Sequence, residues 1–424
     1  MRLLITLLAL PLLALPQTAQ AQVAVADSGD TGWMIMCALL VMLAAIPGLA
    51  LRHAGLVNAR NALSVATQGA GIAAGASLAW AIAGYSLAYA PGGNWLGGSA
   101  NLMLANLAVL RDGLTVPESA FVLFQMSLAI SATCLIGGAL AGRARLGWTM
   151  TFAPLWVLLV YAPVAHWTWG GGWLAQIGAM DFAGGLTLHM TAGFSALALV
   201  LIGGRRQDAT RHPHANLLSV VGSGLVWIGW FGIIGGWALG ATDDAASAIL
   251  NTHFAACSSA LAWGLLDRLF TGRTSATGIA SGAMAGLVAI SASAALVGTG
   301  GAMLIGLIAA LVCRMVVQLL AASRIDDSAA VFAIHGIGGL LGMLLLVPFT
   351  LPRLGGVGFD PGINLTGLLL TQGIAVATVA LWSMLGAAIL ALTISIVVPL
   401  RAGEIEEEEG LDSAHHGQPG WDFR

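Results

Sequence analysis

The chain has 424 residues, of which 58% are hydrophobic and only 8% carry charge, and it contains no lysine. Soluble domains carry charge on about a quarter of their residues, so this composition excludes a soluble globular protein and points to an all-α polytopic membrane protein that spans the lipid bilayer. No nucleic-acid role is expected.

In chain order, Met1 to Ala21 combines one arginine, an apolar run from Leu3 to Leu15 and the small-x-small sequence Ala19-Gln20-Ala21. Residues 1–21 therefore read as a cleavable signal peptide, with an uncleaved anchor as the alternative. The mature N-terminus, near Gln22, would lie outside the cytoplasm. Residues 22–400 read as one membrane domain and 401–424 as a cytoplasmic tail. Apolar windows give eleven transmembrane helices with cores near 33–51, 65–88, 119–141, 147–166, 184–203, 216–239, 249–270, 277–297, 301–321, 331–350 and 366–399. Cys37, Cys134, Cys257 and Cys313 stand singly in apolar segments and read as packing residues, with no disulfide and no metal site.

Arginine placement tests the count, because cytoplasmic loops hold the excess positive charge. With the N-terminus outside, 13 arginines, Arg52 and Arg143 among them, fall on the cytoplasmic side, and only Arg111 and Arg353 fall outside. That bias supports eleven spans and a cytoplasmic C-terminus.

Two histidines lie within the apolar windows, each eight residues after an aspartate: Asp181 to His189, and Asp327 to His335. An ionisable side chain in the bilayer costs roughly 2.5 kcal/mol or more unless it lines a pathway or finds a partner. The repeated spacing, some 150 residues apart, suggests an inverted five-plus-five helix repeat that brings the two imidazoles together near the midplane, within hydrogen-bonding reach. The other reading is a pair of histidines bonded to backbone carbonyls between packed helices. His53, His212, His214, His415 and His416 fall in predicted loops or the tail and are expected to be solvated, whereas His166 and His253 lie near helix ends and suit hydrogen bonding.

Three stretches give a more specific identity. Ile46-Pro47-Gly48-Leu49-Ala50-Leu51 with Gly55-Leu56 and Asn61 is the first; Tyr161-Ala-Pro-Val-Ala-His166-Trp-Thr-Trp169-Gly-Gly-Gly172 followed by Asp181, Gly185 and His189 is the second; Gly278 to Ile290 with Asp326-Asp327, Phe332 and His335-Gly336-Ile-Gly338-Gly339 is the third. In these the chain resembles the ammonium transporter family (Amt/Mep/Rh), nearest its bacterial Amt branch. The resemblance implies a homotrimer with one pore per subunit, and no cofactor, metal or enzymatic reaction. It implies that His189 and His335 are the twin pore histidines and proton relay, and that Trp169 is the vestibule tryptophan. Asp181 is implied behind the vestibule, Phe124-Gln125 near the outer gate, and Ser281 and Ser291 along the pore lining. Asp181 also reads as an N-cap for a helix starting at Phe182. Ammonium, or methylammonium as an analogue, is the implied substrate: a small cation that an aromatic face attracts and whose proton a histidine can accept.

The chain departs from the family where phenylalanines usually cover the pore entrance, since Leu128 and Ile233 stand there. Ile234 replaces the usual asparagine, Trp237 a serine, Ala330 an aspartate and Gly142 a glutamate. Three readings of Trp237 stay open: a new cation cage with Trp169, a plug that makes the protein a poorly conducting or non-conducting ammonium sensor, or one member of a Trp227/Trp230/Ile234/Trp237 stripe packed on another helix or subunit. The tail, Glu404 to Gly417, reads as solvated by its charge run alone. It is nevertheless similar to the regulatory tail of bacterial Amt proteins, which packs under a neighbouring subunit and supports docking of a PII signalling protein, with Gln418 where an acidic residue is usual.

Overall fold

The structure is a computed structural model that describes residues 26–207 and 213–421; residues 1–21, read as a signal peptide, and His212 lie outside the described residues. Its membrane part is built from α1 (Ser28–Leu56), α2 (Ala59–Tyr89), α3 (Glu118–Ala139), α4 (Leu146–Gln176, interrupted near Trp169), α5 (Gly185–Gly203), α6 (Asn216–Trp237), α7 (Asp243–Thr271), α8 (Ala276–Ser291), α9 (Thr299–Ala322), α10 (Phe332–Phe349) and α11 (Leu365–Ser395). Ten of these are long and apolar enough to cross a bilayer. The remaining one, α8, has 16 residues and is N-capped by Ser275, whose side chain accepts from the Gly278 N–H. Apart from its shortness, the eleven-helix expectation holds.

Two pairs of helices form the centre, and glycine sets how closely they meet. A Cβ on Gly222 of α6 would lie 2.3 Å from the Arg52 backbone nitrogen of α1, and one on Gly229 would lie 2.4 Å from the Leu40 carbonyl oxygen. The second pair is α5 and α10. A Cβ on Gly193 would lie 2.2 Å from the Gly336 nitrogen, and one on Gly339 would lie 2.5 Å from the Gly185 carbonyl oxygen. Gly193 and Gly339 each follow a histidine by four residues, one helical turn. The same small residue at the same offset thus lets each helix cross over the other's histidine turn.

The two helices run in opposite directions. α5 starts below Trp169 and ends at Gly203, whose carbonyl accepts from Arg401 of the tail at 3.5 Å. α10 starts beside Asp326, which Arg143 (3.1 Å) and Arg206 (2.8 Å) hold in ion pairs at the tail end of the molecule. That antiparallel arrangement is the inverted repeat expected from the paired aspartate-to-histidine spacing.

Several solvated-loop expectations are corrected. Arg52 and His53 lie on α1, not in a loop, and both are buried, His53 with its ring against Gly138 of α3. The helix runs past the apolar window because its continuing face packs on α3 and α6. His214 is half-buried, its Nδ1 2.9 Å from the Val57 carbonyl, and His415 and His416 are half-buried as well. His166 does bond, its two ring nitrogens 2.9 Å and 2.7 Å from the carbonyls of Ala88 and Gly93.

The tail folds as α12 (Glu404–Glu409) and α13 (Leu411–His416) and docks under its own chain. Glu407, buried, takes Arg401 at 2.5 and 2.9 Å, and Glu406 takes Arg145 at 3.0 Å. Asp412, also buried, accepts from the backbone N–H groups of Leu63 (3.1 Å) and Ser64 (2.7 Å), capping the start of α2. Within the acidic run Glu404, Glu408 and Glu409 are exposed, as charge alone suggests, whereas Glu406 and Glu407 have specific partners.

Candidate functional site

Each histidine is preceded by the same local device. Asp181 accepts from the N–H groups of Gly184 (3.0 Å), Leu186 (3.2 Å) and Thr187 (2.9 Å) and from the Thr187 hydroxyl (2.9 Å). Asp327 accepts from Val331 (2.9 Å) and Phe332 (2.7 Å). Three residues after each aspartate the backbone turns left-handed, at Gly184 (φ +97°) and Ala330 (φ +55°). Glycine adopts that conformation freely, whereas alanine does so at a cost of about 1 kcal/mol. A π-helical turn follows in both copies, Gly185–Met190 and Phe332–Gly336, and carries the histidine; such turns recur at functional positions because they widen the helix locally. The expected helix start at Phe182 is corrected to Gly185, since the N–H groups of Phe182 and Ala183 bond to α8 and its C-terminal end, at Ser291 and Ala292. Burial pushes both the Asp181 and Asp327 carboxyls above their ordinary range, against the opposing effect of these hydrogen bonds.

The two Nδ1 atoms of His189 and His335 are 3.4 Å apart, and the ring centroids 5.3 Å apart. This is a long N–H···N contact, at the outer limit of the expected reach. For it to form, one Nδ1 carries the proton and the other offers its lone pair. Trp230 of α6 lies parallel against His189, 4.8 Å between centroids at 19°, and reaches His335 at 6.2 Å. Its indole N–H donates to the Ser291 hydroxyl at 3.0 Å, and that hydroxyl donates to the Leu287 carbonyl at 2.8 Å. Ser291 therefore orients Trp230. The buried Nε2 of His189 has no hydrogen-bond partner, and His189 lines a cavity of about 20 Å³ together with Leu49, Ser131, Leu135, Val226, Trp230 and Ile233. That is room for a single molecule the size of water or ammonia.

At the other end of the path three aromatic residues meet. Trp169 and Trp237 are 4.1 Å apart between ring centroids at 45°, and Phe124 meets Trp237 edge-on at 6.1 Å. Trp169 is held by its N–H to the Asp181 carbonyl at 2.9 Å. Two helical files connect this cluster to the histidines. On α3, Phe124, Leu128, Ser131 and Leu135 follow at three- and four-residue steps, and on α6 so do Trp237, Ile233, Trp230 and Val226. The last two residues of the α3 file and the last three of the α6 file line the histidine cavity, so the buried Leu128 lies on its helix between the aromatic cluster and the chamber.

Not every expected residue joins the site. Gln125 turns away from the tryptophans, is buried, and accepts from the Tyr89 hydroxyl at 2.8 Å. Ser281 bonds to Arg52 at 3.3 Å instead of lining the histidine cavity. A role for Trp230 was missed, although its place in the tryptophan stripe was the signal available. Among the described residues no cluster of three or more His, Cys, Asp or Glu side chains could hold a metal ion.

A helical membrane protein with an inverted repeat, twin central histidines and an aromatic cluster at one end of a narrow path is built as a transporter of a small polar solute. The sequence model of the ammonium transporter family matches residues 32–421. An ammonium transporter of Bacillus subtilis is 38% identical over 92% of this chain and 98% of its own length, and one of Aquifex aeolicus is 38% identical over 96% of each. Among solved structures, Candida albicans Mep2 superposes with a TM-score of 0.83 at 33% identity, covering 90% of this chain and 88% of its own. A structure described as a sensor Amt protein does so at 0.85 and 27%, covering 92% and 98%. The chain belongs to the ammonium transporter family, as the motifs around the two histidines implied.

Proposed function

We propose that ammonium is attracted to the aromatic end by Trp169, gives up a proton at the histidine pair, and crosses the apolar segment as neutral ammonia. The observation that carries this reading is the pairing of His189 and His335, with the unpartnered Nε2 of His189 on a chamber sized for one small molecule. With the shared proton on His189 Nδ1, its Nε2 offers a lone pair that accepts the proton of ammonium, while metal cations have none to shed and are rejected by the apolar walls. The arginine distribution supports the aromatic end facing outside and the tail facing the cytoplasm of a bacterial cell, across the inner membrane. The family resemblance supports a homotrimer and a PII protein docking at the tail face.

A second reading, a poorly conducting sensor, is favoured by one observation, the direct contact between Trp169 and Trp237 at the entrance. Uptake of labelled methylammonium into cells lacking their own transporters separates the two. With the unaltered chain uptake is expected above background, and with His189→Ala it should fall to background while the protein remains folded and membrane-inserted. Background uptake with the unaltered chain would support the sensor.

A further inference from the structure

Arg52 is buried, 4% exposed, and among the described residues it forms no ion pair. Its guanidinium donates instead to two neutral hydroxyls on two other helices, Ser223 of α6 at 2.6 Å and Ser281 of α8 at 3.3 Å. The Ser223 hydroxyl in turn donates to the Ser219 carbonyl at 2.6 Å, and the Ser219 hydroxyl donates to the Arg52 carbonyl at 3.1 Å. The side chain is therefore fixed by neutral groups, and among the described residues no carboxylate pairs with its charge. Buried charges are ordinarily paired, and one that is not is a candidate for function.

Its position follows from the helical files. On α1, Ala45 and Leu49 line the histidine cavity, and Arg52 lies three residues further on the same face, about 5 Å along the axis. On α6, Trp230 and Val226 line the cavity, and Ser223 lies three residues beyond. Both files descend toward the tail end, where Leu56 of α1 stands close to Asn58 and Asn61, the latter accepting from Leu411 of the tail. Arg52 thus lies on the α1 file one turn beyond the residues that line the histidine chamber, and bridges α1, α6 and α8.

We propose that Arg52 is a fixed positive barrier that bars cations and protons from the tail-side half of the path and restricts what leaves the histidine chamber to neutral ammonia. In a low-dielectric channel an arginine charge repels any cation approaching it and does not hinder an uncharged molecule. The proton taken from ammonium then returns to the aromatic side: ammonium enters the chamber, ammonia leaves past Arg52, and one proton goes back the way it came. Net movement carries no charge. This rests on the transport reading above.

The test uses the purified full chain in liposomes, with internal alkalinisation reporting ammonia entry and solid-supported-membrane recording reporting charge. Three forms are compared: the unaltered chain, Arg52→Gln and Arg52→Lys. On an ammonium or methylammonium pulse the unaltered chain should alkalinise the lumen without current. Arg52→Gln, which keeps hydrogen-bond donors but loses the charge, should add a cation current that rises clearly above the protein-free baseline at which the unaltered chain stays. Arg52→Lys, which keeps the charge but loses the forked geometry, should remain without current, showing that charge and not helix bridging sets the selectivity. Alkalinisation with equal current in all three forms would overturn the barrier and leave the transport reading standing. Neither alkalinisation nor current in any form would overturn both.

Discussion

At 4.1 Å between centroids, Trp169 and Trp237 leave no space for a cation between their faces, because the ion would itself need to sit several ångströms from each ring. A two-sided cage is therefore excluded, and Trp237 packs against Phe124 and Trp169 as a cover would. Trp237→Leu is expected to uncover Trp169 and raise methylammonium uptake severalfold. An apparent affinity weakened about tenfold, the loss of about 1.4 kcal/mol of cation–π attraction, would show instead that the indole is a binding face. Which of these residues could be read in advance follows from polarity. His189 and His335 stood out because ionisable groups in apolar windows are costly. Trp230 did not, since an indole in a membrane helix is unremarkable until the helix rotation that turns it onto His189 is known. Arg52 was misplaced because the apolar window of the first span stops at residue 51, whereas the helix continues to Leu56, and a charge at a window's edge reads as loop.

The start of α10 is the element most dependent on charge. Arg143, whose side chain is fully buried, donates to the Asp326 carboxylate and carbonyl and to the Ala139 carbonyl, and Arg206 takes the same carboxylate through Nε (2.8 Å) and Nη2 (2.9 Å). Burial alone would raise the Asp326 carboxyl, but the hydrogen bonds and charge of Arg206, with the charge of Arg143, outweigh it and hold the group below the ordinary carboxylate range. A carboxyl lowered in the fold contributes stability that is complete above its unfolded value, near 3.9, and is lost as pH falls through the folded value. Asp326→Asn is therefore expected to cost about 3 kcal/mol at neutral pH, since Arg143 is left buried without its counter-charge. The difference from the unaltered chain should shrink only below about pH 4. Thermal unfolding in detergent across pH checks both; a gap that stays constant down to pH 3 would remove the ion pair as its cause. Helix count, inversion and the aspartate-to-histidine spacing were readable from hydropathy and charge. The π-helical turns and the left-handed Ala330 were not, because neither leaves a compositional mark and the alanine has no conformational preference for that geometry.

On the scale of the whole molecule, the tail closes a loop from the last membrane helix back to the first two. Ala402 N–H bonds to the Arg143 carbonyl at 2.9 Å, tying the tail to the loop before α4, and Leu411 N–H bonds to Asn61 at 2.9 Å, just ahead of α2. Asp412 is the far anchor, where one buried carboxylate satisfies two N–H groups that the start of α2 would otherwise leave bare. Gly410, left-handed at φ +102°, lets the chain turn against Arg60 between the two tail helices, where a Cβ would lie 2.4 Å from the Arg60 side chain. Asp412→Ala should cost about 1 kcal/mol, the usual value of a lost cap, and it removes the contact that holds α13. The membrane helices have their own packing and should be untouched, so the predicted effect is local: faster amide hydrogen exchange and earlier proteolytic cleavage across 404–417, with methylammonium uptake by the uncomplexed protein unchanged. Exchange that accelerates equally throughout α2 and the tail would mean that the cap stabilises the helix more than the docking. Unchanged exchange in both would show that the Arg401–Glu407 and Arg145–Glu406 pairs hold the tail without Asp412.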